Sequence, residues 1–84
     1  MIKQTYNKIK ERYPNINMIV LFRIGNEYKA YYEDANTVSG ILKTPVVNNE
    51  YMGEEWLSTA FPHEKIDKYL PLLVRHGYRI AICD

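Results

Sequence analysis

The side chains that could do chemistry in this chain are few and scattered. His63 and Asp67 stand four apart, a spacing that puts two metal ligands on one helix face, but no third ligand repeats the interval. A surface pair in the first turn of a helix is the better reading. Cys83 with His63 or His76 would make a thiol–imidazole nucleophile. Cys83 instead closes an apolar run, where a packed thiol is expected. Ser39 and Ser58 have no local base and no flanking elbow glycines. Glu54 and Glu55 are adjacent, so a strand points them to different sides and they form no acid–base pair. Tyr31 and Tyr32 straddle a strand in the same way, one for the core and one free to stack on a base. No catalytic constellation survives, so the expectation is a domain that is not an enzyme and needs no cofactor or metal.

Elements must hold these residues. Ile2, Tyr6, Ile9 and Tyr13 recur at intervals of 4, 3 and 4, one stripe of an amphipathic helix. Lys3, Lys8, Lys10 and Arg12 fall off the stripe, and Pro14 ends the helix at Tyr13. Asn17 to Ile24 is β-branched, aromatic and nearly all apolar, which predicts a strand covered on both faces. Gly25-Asn26 predicts a two-residue hairpin, since both residues tolerate positive φ. In the return strand, Glu27 to Tyr32, alternation sends Tyr28, Ala30 and Tyr32 to the core and leaves Glu27, Lys29 and Tyr31 on a displayed face.

Glu33 and Asp34 open a second helix, at the positive end of its dipole, with Ala35, Val38, Ile41 and Leu42 as the buried stripe. Gly40 weakens it by ~1 kcal/mol relative to Ala unless close packing needs the glycine. Lys43, Thr44 and Pro45 end it. Val46 and Val47 start a short strand, Asn48 to Glu50 turn, and Tyr51 and Met52 pair back before Gly53. Trp56 to Phe61 alternates as a strand with Leu57, Thr59 and Phe61 on one side. Pro62 supplies the first turn of a third helix, whose apolar face is Ile66, Tyr69, Leu70, Leu73 and Val74. Pro71 inside it predicts a kink near Asp67 to Tyr69, and Gly77 a C-cap. Tyr78 to Cys83 reads as a final buried strand. The order α-β-β-α-β-β-α-β predicts an α/β (α+β) fold, a mixed sheet with about three helices packed on it.

Length and composition agree. Eighty-four residues, 46% hydrophobic and 25% charged, make a single domain over 1–84 and not a disordered tail. One cysteine excludes an internal disulfide and a multi-cysteine zinc site. The longest apolar run, Met18 to Phe22, is far short of the ~20 residues of a membrane helix. The N-terminus has no apolar signal region, so a cytoplasmic protein with no membrane partner is expected. The final strand residues at the very end hint at a piece of something longer. Charge is uneven: residues 1–25 carry five basic and one acidic side chain, residues 26–55 two basic and six acidic, residues 56–84 four basic and three acidic. The basic first third suits phosphate, weakly.

Leu21-Phe22-Arg23-Ile24-Gly25-Asn26-Glu27-Tyr28, followed by Tyr31-Tyr32-Glu33-Asp34-Ala35, resembles the N-terminal signature of the DNA mismatch-repair protein family MutS, roughly L-F-[FY]-R-[MV]-G-D-F-Y-E-x-[FY]-x-x-D-A. Gln4 to Pro14 is similar to the family's opening helix. Ala60-Phe61-Pro62-His63 and then Tyr69 to Asp84 are similar to its G-[IF]-P-x-H and Y-L-x-K-L-[VL]-x-x-G-x-[RK]-V-A-I-C-[DE] segments. The match weakens over 44–56, which look shortened. The resemblance implies the mismatch-recognition domain alone, without connector, clamp or ATPase domains. In the family a Phe wedges beside a mispaired base and a Glu two residues on hydrogen-bonds to that base; such apolar wedges kink DNA. Here Glu27 holds the Phe position, Lys29 the Glu position and Asn26 the preceding Asp position. A carboxylate cannot stack like a phenyl ring and is repelled by phosphates, whereas Lys29 suits a phosphate. Arg23, Tyr31, Lys3 and Lys10 are further candidates for phosphate or base contacts. The resulting expectation is a non-catalytic double-stranded DNA-binding module with lost or altered mismatch readout. The alternative, drawn from Glu27 and the acidic middle, is a regulatory module that binds a fused or separate protein.

Overall fold

The computed structural model describes residues 2–84. Three helices and five strands follow the expected order: α1 (Ile2–Arg12), β1 (Met18–Ile24), β2 (Glu27–Tyr31), α2 (Glu33–Leu42), β3 (Val47–Tyr51), β4 (Glu54–Pro62), α3 (Ile66–Arg75) and β5 (Arg79–Cys83). A short 3₁₀ turn, His63–Lys65, leads into α3. The strands form one mixed sheet in the order β3-β4-β2-β1-β5. Only β1 and β5 run parallel; the other neighbours are antiparallel.

The apolar run of β1 has the reason the sequence assigned to it. Ile19 and Leu21 face α2 and α3, with Tyr28, Ala30, Val38, Leu42, Phe61 and Leu73. Val20 and Phe22 face α1, with Tyr6 and Tyr31. Helices on both sides bury alternate residues of one central strand. The β1–β2 turn is Gly25-Asn26, and only Gly25 takes positive φ, as in a type II′ hairpin. At the other end of α3, Gly77 lies at φ 92, and its N–H and that of Tyr78 reach the Val74 and Leu73 carbonyls. This is a Schellman cap.

The structure departs from the sequence expectation in four places. Tyr31 is buried, at 7% exposure, and the half-buried Tyr32 joins it on the α1 side rather than facing the opposite core. The cause is a break in alternation: Tyr32 sits at φ 60, ψ −133 and turns the chain out of β2 into α2. Second, Asn48 to Glu50 do not turn but belong to β3, and the turn is Met52-Gly53, at φ 50 and 83. The pair fits a type I′ turn. Asn49 is tolerated in the strand because its amide donates across it, to the Trp56 carbonyl at 3.1 Å and the Ser58 hydroxyl at 2.8 Å. Third, Pro62 ends β4 instead of opening α3, which starts at Ile66 after the 3₁₀ turn. Fourth, β5 is an edge strand with Ile82 47% exposed, so it is not buried. No helix among the described residues is long and apolar enough to cross a membrane.

Candidate nucleic-acid interface

Period-two alternation, with the pairings of β2, fixes what stands beside Glu27 and Lys29. Lys29 lies between Phe22 of β1 and Ala60 of β4; Glu27 lies between Ile24 and Pro62. All share the α1 face of the sheet. α1 covers the Tyr31 end of that face and leaves the hairpin end open, so Glu27 is exposed, Ile24 is 40% exposed and Lys29 is half-buried. The strip carries one charge of each sign, so it is not uniformly basic. Lys3, Lys8 and Arg12 are exposed on α1, the helix packed on the same side of the sheet.

The other candidates divide. Arg23 points to the opposite face, where its Nε donates to the Gly25 carbonyl at 3.0 Å and its guanidinium lies 5.6 Å from the Tyr28 ring centre. Tyr31 packs edge-on against Phe22 with ring centres 5.6 Å apart, and a buried ring offers no face to a base. Lys10 is engaged within the fold: Nζ lies 2.9 Å from the Asp34 carboxylate and also donates to the Met18 carbonyl. Lys3 remains exposed on the first turn of α1.

Asp34 does more than a first-turn helix carboxylate. It is 4% exposed and accepts from the backbone N–H of Val20 at 3.0 Å as well as from Lys10. Pairing between β1 and β2 spans only Phe22–Ile24 against Glu27–Lys29, and the Asp34 carboxylate meets the β1 backbone beyond that ladder. Burial pushes its carboxyl above the usual range, against the Lys10 and Val20 hydrogen bonds, which hold it down. Nothing in helical periodicity marks this role; an acidic residue between Tyr32 and the apolar stripe was the available signal.

A second feature escaped the sequence. A cleft of about 380 Å³ opens under the first turn of α1, lined by Ile2, Lys3, Tyr31, Tyr32, Glu54 and Trp56. Tyr32 is held there by an edge-to-face contact with Tyr6 at 4.9 Å. The dense aromatics Tyr31, Tyr32 and Trp56 were the signal, but only the fold brings β4 beside the end of β2.

The groups considered for catalysis lie apart in the fold. His63 donates its backbone N–H to the Asn26 carbonyl, and its ring is 4.0 Å from Glu64. His76 caps α3, with Nδ1 2.8 Å from the Leu72 carbonyl. Cys83 pairs with Phe22 on β1, and burial pushes its thiol up, away from the thiolate. The Ser39 hydroxyl donates to the Thr44 carbonyl, and the Ser58 hydroxyl accepts from Asn49. Among the described residues no group of three or more His, Cys, Asp or Glu could hold a metal ion.

Residues 1–84 match the family described as MutS domain I. The DNA mismatch repair protein MutS of Christiangramia forsetii is 41% identical over 83 residues, which cover 99% of this chain and 9% of that protein. Its counterpart in Salinibacter ruber is 40% identical over 84 residues, with the same 99% and 9% coverage. That of Thermotoga neapolitana is 37% identical over 83 residues, covering 99% of this chain and 10% of the relative. The chain thus spans only a small fraction of the length of these curated relatives.

Proposed function

The chain belongs to the MutS domain I family, and from that premise we propose that it is a non-catalytic module that binds double-stranded DNA with an altered mismatch readout. The observation that carries this reading is the open strip of β2. Glu27 and Lys29 share its open face, and the sequence resemblance aligns them with the family's wedge Phe and base-contacting Glu. The strip has the access that a groove contact needs, and the exposed cations of α1 lie on the same side. Its side chains no longer have wedge chemistry. Lys29 suits a phosphate, while Glu27 has no ring to place between base steps. Binding is therefore expected to be weak, strongly salt-dependent and indifferent to a mispair.

The test is the double substitution Glu27→Phe with Lys29→Glu, read by fluorescence anisotropy on paired and mismatched duplexes at two salt concentrations. The expected result is a gain in mismatch preference of about tenfold over the parent, equivalent to ~1.4 kcal/mol. A parent chain that already prefers the mismatch tenfold would sink the reading of Glu27 and Lys29.

One observation favours a second reading, a protein-binding module. The β3–β4 hairpin tip exposes Tyr51 at 68% and Met52 at 86%, beside Glu50, Glu54 and Glu55. Exposed apolar residues amid carboxylates suit a basic protein partner better than phosphates. Failure of both chains to bind any duplex at low salt would favour this alternative.

A further inference from the structure

We propose that the cleft under the first turn of α1 holds one unpaired nucleotide of a DNA strand, with guanine the preferred base. This goes beyond the duplex contact of the β2 strip and rests on the same reading of the chain as a DNA module. The cleft, about 380 Å³, falls in the size range of small-ligand sites. Its walls are aromatic: Tyr31 is buried, and Tyr32 and Trp56 are half-buried. Among the described residues of its lining, Lys3 and Glu54 are charged, exposed and of opposite sign. Glu54 stands close enough to Tyr32 for its charge, together with burial, to push the Tyr32 hydroxyl up.

This combination selects among ligands. A bare cation in an aromatic cage would meet the Lys3 ammonium. A free phosphate would meet the Glu54 carboxylate and gain nothing from the rings. A purely apolar guest would draw nothing from either charge. A nucleotide uses all three features: its base has a π face for Trp56 or Tyr32, its phosphate suits Lys3, and its base edge can donate to Glu54. Guanine presents two N–H groups side by side on its Watson–Crick edge, matching the two oxygens of a carboxylate. Thymine presents one N–H between two carbonyls, which a carboxylate repels. That edge is occupied in a duplex, so the nucleotide must be unpaired.

Trp56 is the only tryptophan of the chain, so its fluorescence reports directly on the cleft. The probes are deoxyguanosine and thymidine monophosphates and short single strands that either contain guanine or are all thymine. Saturable quenching is expected, about threefold or more stronger in affinity for guanine than for thymine, and tighter for strands than for mononucleotides. Glu54→Gln should remove most of the guanine preference, and Lys3→Glu should weaken every probe by about threefold. Both residues are exposed, and circular dichroism verifies that each variant is folded. Quenching that does not saturate, or that ignores both substitutions, overturns the proposal. Mononucleotides binding as tightly as strands would overturn the assignment to a DNA strand. Duplex anisotropy measured in parallel separates the two ideas: duplex binding without quenching sinks the cleft proposal alone, and quenching without duplex binding sinks the duplex reading alone.

Discussion

On one face of the sheet, α2 and α3 bury Ile19, Leu21, Val38 and Leu73 completely and Phe61 to 2% exposure. On the other, α1 contributes one buried residue, Tyr6, and leaves both the hairpin strip and the aromatic cleft open. The first face is held by dispersion and apolar burial, which need no particular partner atom. The second is held by fewer, directional contacts: Tyr6 against Tyr32, Phe22 against Tyr31, and Lys10 with Asp34. A face built this way can keep its shape while leaving surface free for a ligand. Asp34 is the point where the two faces meet, since its own helix packs on one and its carboxylate bonds to Lys10 from the other.

Breaking that junction is the largest effect expected. Asp34→Ala would leave the buried Val20 N–H without its acceptor and Lys10 without its counter-ion. The cost should be about 3 kcal/mol, a large part of the stability of so small a domain. Asp34→Asn keeps an acceptor for Val20 and removes the buried charge, so it should cost less than about half as much. Urea midpoints of the two variants check this. Equal losses would mean that the charge on Asp34, and not its hydrogen bond to β1, ties the faces together.

The same contrast explains what was legible in the sequence. Most of the α2/α3 face follows from periodicity, because Val38 and Leu42, and Thr59 and Phe61, take the sides that their spacing assigns, while Val74, on the expected apolar stripe of α3, is 54% exposed. The α1 face is less legible. Alternation gives Tyr31 the right face, shared with Glu27 and Lys29, but not the cover that α1 lays over that end, and it cannot foresee the φ of 60 that turns Tyr32 to the same side. The β3 turn was misplaced because Asn48 and Asn49 look like turn formers, and only the cross-strand acceptors of Asn49 show why they pair instead. β5 looked buried because its apolar run resembles that of β1, and sequence does not say which strand lies at an edge. Glu27 and Lys29 gained meaning from the resemblance to a family, since alternation alone gives a shared face and no chemistry. The cleft depends on contacts between the end of β2 and β4, which no local pattern encodes.

Alkaline pH should loosen the α1 face first. The Tyr6 hydroxyl is pushed up to about 12, chiefly by burial and then by the charges of Asp34 and Glu33. Below pH 10 the phenol is neutral in folded and unfolded chains, so it contributes no pH dependence. Above that, the unfolded chain ionises while the folded one does not. Stability then falls as pH rises from 10 toward the folded value, by about 2 kcal/mol in all. Tyr6→Phe should flatten that part of the pH profile while leaving the ring packed against Tyr32. Thermal unfolding of parent and variant across pH 9 to about 12 is the measurement. An unchanged slope in Tyr6→Phe would place the alkaline loss on other groups.

The smallest effect tests whether the two faces are independent. Gly40 lies within α2, and a methyl group added at its Cα would meet nothing within 4 Å. Its φ is not positive, so no left-handed conformation requires glycine there. The close packing that would have justified the residue is therefore not its reason, and its remaining effect is the entropy of a flexible helix interior. Gly40→Ala should stabilise the domain by about 0.5–1 kcal/mol, seen as a rise of several degrees in Tm. The gain arises on the helix that packs against the apolar face, so duplex binding at the β2 strip should not change. If Gly40→Ala raised Tm and also weakened duplex binding, stiffening α2 would have to be felt across the sheet. Asp34 lies on α2 and bonds to both β1 and α1, so coupling of that kind would be expected to vanish in the Gly40→Ala, Asp34→Asn double variant.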